Sequence, residues 1–234
     1  MGSAISVSDV VETYPLGDGE FTAVDHLSLD IEQGEFVAIV GRSGSGKTTL
    51  LNLLAGIDRP TSGTVQAAGA NLGSLSESRL AAWRGRNVGL VFQFFQLLPT
   101  LTVVENVMLP MDFANTIAVG ERRDRALYLL ERMGVGDQAD KMPAHLSGGQ
   151  QQRAAIARAL ANSPPILLAD EPTGNLDSTT AEAVLGLFGD LNADGQTIVV
   201  VTHERDIRSI VGREITLQDG RIVTDEAERV AVPA

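Results

Sequence analysis

Apolar and polar side chains alternate along the first forty residues, and this period of two predicts β-strands. The alternation is clearest at 5–7, 21–23 and 27–31, and turn residues interrupt it at 17–19 and 33–34. Neighbouring strands joined by short turns pair antiparallel. We therefore expect an antiparallel β-subdomain at the N-terminal end of the chain.

Short continuous apolar runs come next, a pattern typical of strands buried on both faces. These runs cover 36–40, 88–92, 166–169 and 198–201, and segments with helical periodicity at 47–55, 99–145 and 154–161 lie between them. Strands that alternate with helices predict an α/β fold with a largely parallel sheet. We expect one domain over 1–234, with a helical subdomain inserted at about 97–150, a hairpin at Asp219-Gly220 and a loose tail at about 225–234.

A glycine-rich loop follows the first buried strand. Residues 41–48, here called the phosphate loop, are GRSGSGKT and fit the pattern G-x-x-x-x-G-K-[ST] between a strand and a helix. Backbone N–H groups of such a loop bind phosphate oxygens, its lysine bridges the β- and γ-phosphates, and its final hydroxyl ligates Mg²⁺. A surface turn with an exposed lysine is the alternative, and the strand–helix context disfavours it. The expected ATP-binding residues here are Gly41, Ser43, Gly44, Ser45, Gly46, Lys47, Thr48 and Thr49.

Two adjacent carboxylates follow the buried strand at 166–169. Asp170 is expected to hold Mg²⁺ together with Thr48, and Glu171 is expected to orient and deprotonate the attacking water. Pro172 should bias Glu171 toward extended backbone angles. Two acids after a strand are often only a solvated cap, but the phosphate loop in the same chain favours the catalytic interpretation.

Three further side chains are candidates for the same site. Carboxyl ends of parallel strands share one edge of a sheet, so Gln93 and His203, which follow two of the strands, are expected there. Gln93 would reach Mg²⁺ or the attacking water, and His203 would contact the γ-phosphate; a packing or capping histidine is the alternative. Tyr14 could stack on adenine, or be an ordinary strand tyrosine.

Residues 146–150 (LSGGQ), here called the second glycine loop, lie about a hundred residues after the phosphate loop. Ser147 and Gln150 form a capping-box pattern that would start the Ala-rich helix. A capped helix N-terminus with glycines also presents N–H groups to a phosphate, so Ser147, Gly148, Gly149 and Gln150 are expected to contact ATP. Residues 151–153 are expected in exposed first turns. Because this loop is too distant along the chain to share the first loop's phosphates, a second copy of the protein is implied.

Composition excludes several other classes of function. The formal net charge is −12, which argues against a broad nucleic-acid surface. The chain has no cysteine, so neither disulfides nor thiolate metal sites can form. No apolar run approaches the roughly 18 residues of a membrane span. The chain has the character of a cytosolic protein with an ordinary core.

Over nearly its whole length the chain resembles the ATP-binding subunits of ABC transporters. The motifs at 41–48, 146–150, 166–171 and 175–177, with Tyr14, Gln93 and His203, carry this resemblance. The stretches at 92–99, 101–107 and 168–177 resemble the MacB and LolD branch in particular. Glu204, which follows His203, is a small departure because the family more often has Asp there.

The resemblance implies a head-to-tail homodimer that binds two ATP molecules with Mg²⁺. Each ATP would lie between Lys47 of one copy and Ser147 of the other, with Asp177 at the dimer contact. Gln93 and the helical segment after it would couple dimer closure to an integral membrane permease. The protein would then lie at the cytoplasmic face of the cell membrane, held there through the permease.

Three alternatives stay open at this point. An FtsE-like ATPase would transmit force to a membrane partner without transport. A soluble ABC ATPase acting on DNA or ribosomes usually has a long coiled-coil insertion or two such domains, and this chain has room for neither. A small-molecule kinase would leave the second glycine loop unexplained. The sequence does not identify the cargo.

Overall fold

A computed structural model of the chain describes residues 2–17, 19–203, 207 and 210–227. Its strands are β1 (Ser3–Leu16), β2 (Gly19–Glu32), β3 (Phe36–Val40), β4 (Ser62–Ala67), β5 (Ala70–Asn71), β6 (Val88–Phe92), β7 (Ile166–Asp170), β8 (Thr197–Thr202), β9 (Arg213–Gln218) and β10 (Arg221–Ala227). Its α-helices are α1 (Lys47–Leu54), α2 (Glu77–Asn87), α3 (Val103–Ala114), α4 (Arg122–Arg132), α5 (Gly148–Ala159) and α6 (Ser178–Ala193).

The strands form two sheets. One is antiparallel, in the order β2-β1-β4-β5, which confirms the predicted N-terminal β-subdomain. The other has the order β10-β9-β3-β8-β7-β6, and its strands are parallel except for β10, which pairs antiparallel with β9. The predicted α/β fold with a largely parallel sheet is therefore confirmed.

The β9–β10 hairpin turns at Asp219 and Gly220, as predicted. Both residues have positive φ, 49° and 77°, which matches the backbone twist that a two-residue hairpin needs. Strand β10 continues to Ala227, so the boundary given for the tail, about 225, is wrong by three residues. Residues 228–234 lie outside the described part of the chain.

The parallel sheet is buried on both faces, and alternate residues of its strands belong to two different hydrophobic cores. Val37 and Ile39 of β3 pack in the core that contains α1 and the antiparallel sheet. Phe36 and Ala38 pack in the core that contains α3, α4, α5 and α6. Because side chains of a strand point alternately to opposite faces, helices α1 and α5 lie on opposite sides of the sheet.

The predicted helical region at 99–145 contains α3 and α4 together with three short 3-10 turns. Thr102 and Glu105 form a capping box at the start of α3. Helices α2 and α6 were not predicted from the sequence. In the described residues, no helix is both long enough and apolar enough to cross a bilayer.

Candidate nucleotide-binding site

The phosphate loop joins β3 to α1, as the sequence predicts. Gly44 and Gly46 adopt left-handed backbone angles, with φ of 80° and 96°. A Cβ on Gly46 would also overlap the backbone carbonyl oxygen of Ala23, so only glycine fits there. The N-cap residue of α1 is Gly46, which has no side chain to cap the helix. The positive end of the helix is thus suited to an anion such as a phosphate.

Lys47 lies folded against its own loop and is 6% exposed. Its Nζ donates hydrogen bonds to the carbonyl oxygens of Gly41 and Arg42, both at 2.9 Å. Burial lowers the pKa of the ammonium group, and the carboxylates of Glu171 and Asp170 oppose that shift. The ammonium group is therefore held between the phosphate loop and the acidic pair that follows β7.

Thr48 and Asp170 form the part of the site that fits a magnesium ion. Thr48 Oγ1 donates to Asp170 Oδ2 at 3.3 Å, which brings two hard oxygen ligands together. Burial raises the pKa of the Asp170 carboxyl, while the bond from Thr48 lowers it. Among the described residues, no group of three or more His, Cys, Asp or Glu could hold a metal ion. Mg²⁺ usually binds through one or two protein oxygens, water and substrate phosphates, and this small oxygen set fits that mode.

Gln93 follows β6 beside β7, where Phe92 is paired with Asp170. A Cβ placed on Gly174 would lie 2.8 Å from Gln93 Nε2 and 3.4 Å from Glu171 Oε2, so both side chains face this glycine. The expected placement of Gln93 at the shared sheet edge is confirmed. Its role as a metal or water ligand stays a prediction.

Glu171 does not have the extended backbone that we expected from Pro172. Its φ is 44°, in the left-handed region, which costs about 1–3 kcal/mol for a residue other than glycine. Two backbone hydrogen bonds overcome the preference. The Glu171 N–H donates to Val201 O at 2.8 Å, and the Gly174 N–H donates to Glu171 O at 3.1 Å. The neighbouring strand β8 and the turn at 171–174 therefore fix this residue.

His203 lies on the same edge, and its Nδ1 is 3.0 Å from Glu171 Oε1. The structure thus gives His203 a partner, the Glu171 carboxylate, that the sequence did not indicate. A bond to phosphate would have to come from Nε2, so the expected γ-phosphate contact stays a prediction. Glu204 lies outside the described residues.

The second glycine loop starts α5 with the predicted capping box. Ser147 Oγ accepts from the Gln150 N–H at 3.3 Å, and Gln150 Oε1 accepts from the Ser147 N–H at 2.9 Å. A Cβ on Gly149 would overlap the Thr180 methyl group at the start of α6. Packing against α6 therefore requires a glycine here, in addition to the phosphate contact that the sequence predicts.

Asp177 is the N-cap of α6. It accepts from the Thr180 N–H at 3.1 Å and from Thr180 Oγ1 at 2.7 Å, and these bonds hold the pKa of the Asp177 carboxyl below its usual value. The sequence left this local role unassigned. The N-termini of α5 and α6 meet through Gly149 and Thr180, so the second glycine loop and Asp177 belong to one surface.

Tyr14 projects from β1 and is 37% exposed. Its hydroxyl donates to Asp58 Oδ2 at 3.4 Å, and Asp58 also accepts from Asn52 of α1 at 3.2 Å. Burial raises the Tyr14 pKa, while a hydrogen bond with Thr49 lowers it. Tyr14 is thus placed beside the first turn of α1, with part of its ring open to a ligand.

The prediction that residues 151–153 lie in exposed first turns of α5 is wrong, because none of the three is exposed. Gln152 is fully buried, and its Nε2 donates to Pro172 O at 2.7 Å. Sequence reasoning missed this contact between α5 and the segment after β7. The signal was present, because Gln152 lies one turn before Ile156 on the apolar face of the helix, and residues four apart share a face.

Known proteins similar to this chain identify its family. Residues 24–174 match the ABC transporter family, and the chain belongs to this family as an ATPase cassette. An uncharacterized ABC transporter ATP-binding protein of Bacillus subtilis, YknY, is 48% identical over 94% of this chain and 95% of its own length. The macrolide export ATP-binding/permease protein MacB of Hyphomonas neptunium is 45% identical over 97% of this chain, which spans only 35% of that protein.

Solved structures extend the similarity to the fold. A dimeric structure of the ATP-binding cassette MJ0796, in a post-hydrolysis state with ADP and Pi, has a TM-score of 0.89 and 44% identity, with 96% of this chain and 99% of that chain covered. A second dimeric MJ0796 structure matches equally well. The ATP-binding family and the predicted fold class are confirmed.

Proposed function

We propose that this chain is a Mg²⁺-dependent ATP hydrolase that works as a head-to-tail homodimer and powers a membrane permease of the MacB or LolD type. One observation carries the proposal. Helix α1, which follows the phosphate loop, and helix α5, which follows the second glycine loop, pack in different cores on opposite faces of the sheet. Two helix N-termini that are expected to bind phosphate but lie on opposite faces of the sheet can contact the same ATP when they come from two copies of the chain.

Within one copy, the phosphate loop would hold the phosphates through its backbone N–H groups and Lys47. Tyr14 would stack on adenine. Thr48, Asp170 and Gln93 would hold Mg²⁺, which when bound neutralises charge on the phosphate oxygens. The buried Lys47 is already positioned between loop and carboxylates, so it loses little side-chain freedom when it turns to a phosphate.

Glu171 would act as the general base that orients and deprotonates the attacking water. Its backbone is fixed by bonds to β8 and to the turn after it, and His203 contacts its carboxylate at 3.0 Å. A carboxylate held in one place near the γ-phosphate but off the metal is suited to that role. His203 would then orient the base as well as contact phosphate through its other nitrogen.

The second copy would supply Ser147, Gly148, Gly149 and Gln150 to the γ-phosphate of the first copy. The capping box leaves these residues at the positive end of α5. Asp177 would lie at the dimer contact, because α5 and α6 start side by side. The dimeric solved relatives support this arrangement.

The relatives support the proposed permease partner and location. The MacB protein of Hyphomonas neptunium has a name that combines ATP binding with a permease, and this chain matches 35% of its length. We infer that a separate permease completes the transporter here and holds this chain at the cytoplasmic face of the membrane. The region at about 97–150 would act as a helical subdomain that moves with the permease.

The proposal is tested by purifying tagged Glu171→Gln protein with ATP from detergent-solubilised membranes and identifying what accompanies it. Lys47→Ala, which should not form the ATP-bound dimer, is the matched control. A permease with few spans and a large extracytoplasmic domain is the expected partner. A permease with many spans would refute the MacB or LolD assignment, and no membrane protein at all would favour a soluble ATPase.

A further inference from the structure

We propose that Gln152 is a positioning residue that connects the second glycine loop to Glu171 of the same chain. This inference rests on the proposed function. In the head-to-tail dimer the second glycine loop contacts the ATP held by the other copy, whereas Glu171 acts on the ATP held by its own copy. Gln152 would therefore couple the two ATP sites.

The contact itself is direct and fully enclosed. Gln152 is 0% exposed, and its Nε2 lies 2.7 Å from the Pro172 carbonyl oxygen. The orientation of the amide is fixed, because the reversed amide would point its oxygen at another oxygen. Proline has no N–H, so the carbonyl oxygen is the only backbone atom of Pro172 that can take part in a hydrogen bond.

This bond is the third of a set that surrounds the left-handed Glu171. The other two are the Glu171 N–H to Val201 O, at 2.8 Å, and the Gly174 N–H to Glu171 O, at 3.1 Å. Those two bonds come from β8 and from the turn itself. The bond from Gln152 alone comes from α5, so a shift of this helix would act on the peptide that follows the base.

The distance from the nucleotide contact to this bond is short. Ser147 and Gln152 are five positions apart, and a helix rises 1.5 Å per residue, so they are separated by roughly 7–8 Å along the axis. The capping box of Ser147 and Gln150 closes the first turn with two hydrogen bonds. A displacement of the second glycine loop by a partner's phosphate is therefore transmitted to Gln152 with little loss.

The Oε1 atom of Gln152 is buried and has no hydrogen-bond partner among the described residues. A residue with a purely structural role would not be expected to leave a buried acceptor unsatisfied. An apolar side chain of similar volume would fill this position without leaving a buried acceptor unsatisfied. A glutamine that carries this cost while its other amide atom bonds the backbone beside the base fits a positioning role.

Mixed dimers separate this role from a general structural one. Two differently tagged copies are combined with ATP and purified by both tags, and hydrolysis of labelled ATP is followed through a single turnover after Mg²⁺ is added. One copy always carries Glu171→Gln, so only the other copy's Glu171 can work. Gln152→Met is placed either in the copy with the working Glu171 or in the copy with Glu171→Gln. Gln151→Met, which removes the bond from Gln151 Nε2 to Leu146 O at 3.1 Å but leaves the bond to Pro172 intact, is the comparison variant in both places.

The expected result is asymmetric. Loss of one hydrogen bond should slow the single turnover about three- to tenfold when Gln152→Met shares a chain with the working Glu171, and less than about twofold when it does not. Equal slowing in both placements, or slowing only in the copy with Glu171→Gln, would overturn the inference. Both dimers contain one altered copy, so a defect in folding or dimer assembly lowers the yield of doubly tagged dimer equally in both placements; Gln152→Leu repeats the test if Gln152→Met does not fold.

If the proposed function is wrong, this experiment gives a different result from the one that refutes only the role of Gln152. If a mixed dimer with native Gln152 in both copies does not form with ATP, or hydrolyses nothing in a single turnover, the dimer mechanism is wrong and the inference falls with it. If that dimer is active and the asymmetry is absent, only the role of Gln152 is refuted.

Discussion

Replacing Gly149 by alanine tests how closely α5 and α6 are packed at the predicted dimer surface. The backbone at Gly149 is helical, so alanine has no conformational penalty there. Its Cβ, however, would overlap the Thr180 methyl group, well inside the roughly 3.5–4.0 Å of a normal carbon contact. The methyl cannot simply rotate away, because Thr180 Oγ1 is bonded to Asp177 Oδ2 at 2.7 Å.

We expect Gly149→Ala to lower the free energy of unfolding by about 1–3 kcal/mol, the usual cost of overpacking. Thr180→Ser removes the methyl but keeps the hydroxyl, and alone it should cost under about 1 kcal/mol. In the double variant the cost of Gly149→Ala should therefore largely disappear. Urea denaturation of the four proteins in this mutant cycle measures the coupling. An equal cost of Gly149→Ala in both backgrounds would refute the packing argument.

Three further variants give independent checks. Gly186→Ala should raise the free energy of unfolding by about 0.5–1 kcal/mol, because a Cβ there meets nothing within 4 Å and alanine restricts the unfolded chain; a destabilised protein in urea melts would contradict this. Asp225→Asn should cost less than about 1 kcal/mol at pH 7, since the ion pair with Arg213 is partly exposed. The hydrogen bond from Arg213 lowers the pKa of the Asp225 carboxyl below its usual value. The native ion pair therefore stabilises above that value and is lost as pH falls through the folded-state pKa, so acid titration of the variant should show a flatter decline. Lys47→Ala should weaken ATP binding about 10- to 100-fold in calorimetry, as expected for a lost charge-assisted bond; native affinity would argue against the role of the phosphate loop.

Elements with a strong local pattern could be predicted from the sequence alone. The phosphate loop combines an apolar strand, spaced glycines and a helix start, and each feature specifies local geometry. The capping box at Ser147 and Gln150 and the hairpin at Asp219-Gly220 are likewise set by residues within four positions of one another. In these segments the nearby residues determine the backbone conformation, and contacts with distant parts of the fold are not needed.

Features that depend on distant partners could not be predicted in the same way. The left-handed backbone of Glu171 requires a hydrogen bond to Val201, thirty positions away, and that bond overrides the local effect of Pro172. The burial of Gln152 had a local signal in its helical face, but its hydrogen bond to Pro172, in the segment after β7, did not. Helix α6 is different, because its N-cap Asp177 is a local start signal that our prediction did not use.

The most direct test of the central claim is the mass of the Glu171→Gln protein, measured by size-exclusion chromatography with light scattering, with and without ATP. If Glu171 is the base and the two glycine loops share one ATP, this variant should bind ATP, fail to hydrolyse it and run as a dimer only when ATP is present. Adding Ser147→Arg to the same protein should prevent the dimer without affecting ATP binding. A Glu171→Gln protein that hydrolyses ATP at the native rate, or that binds ATP and stays a single chain, would contradict the account.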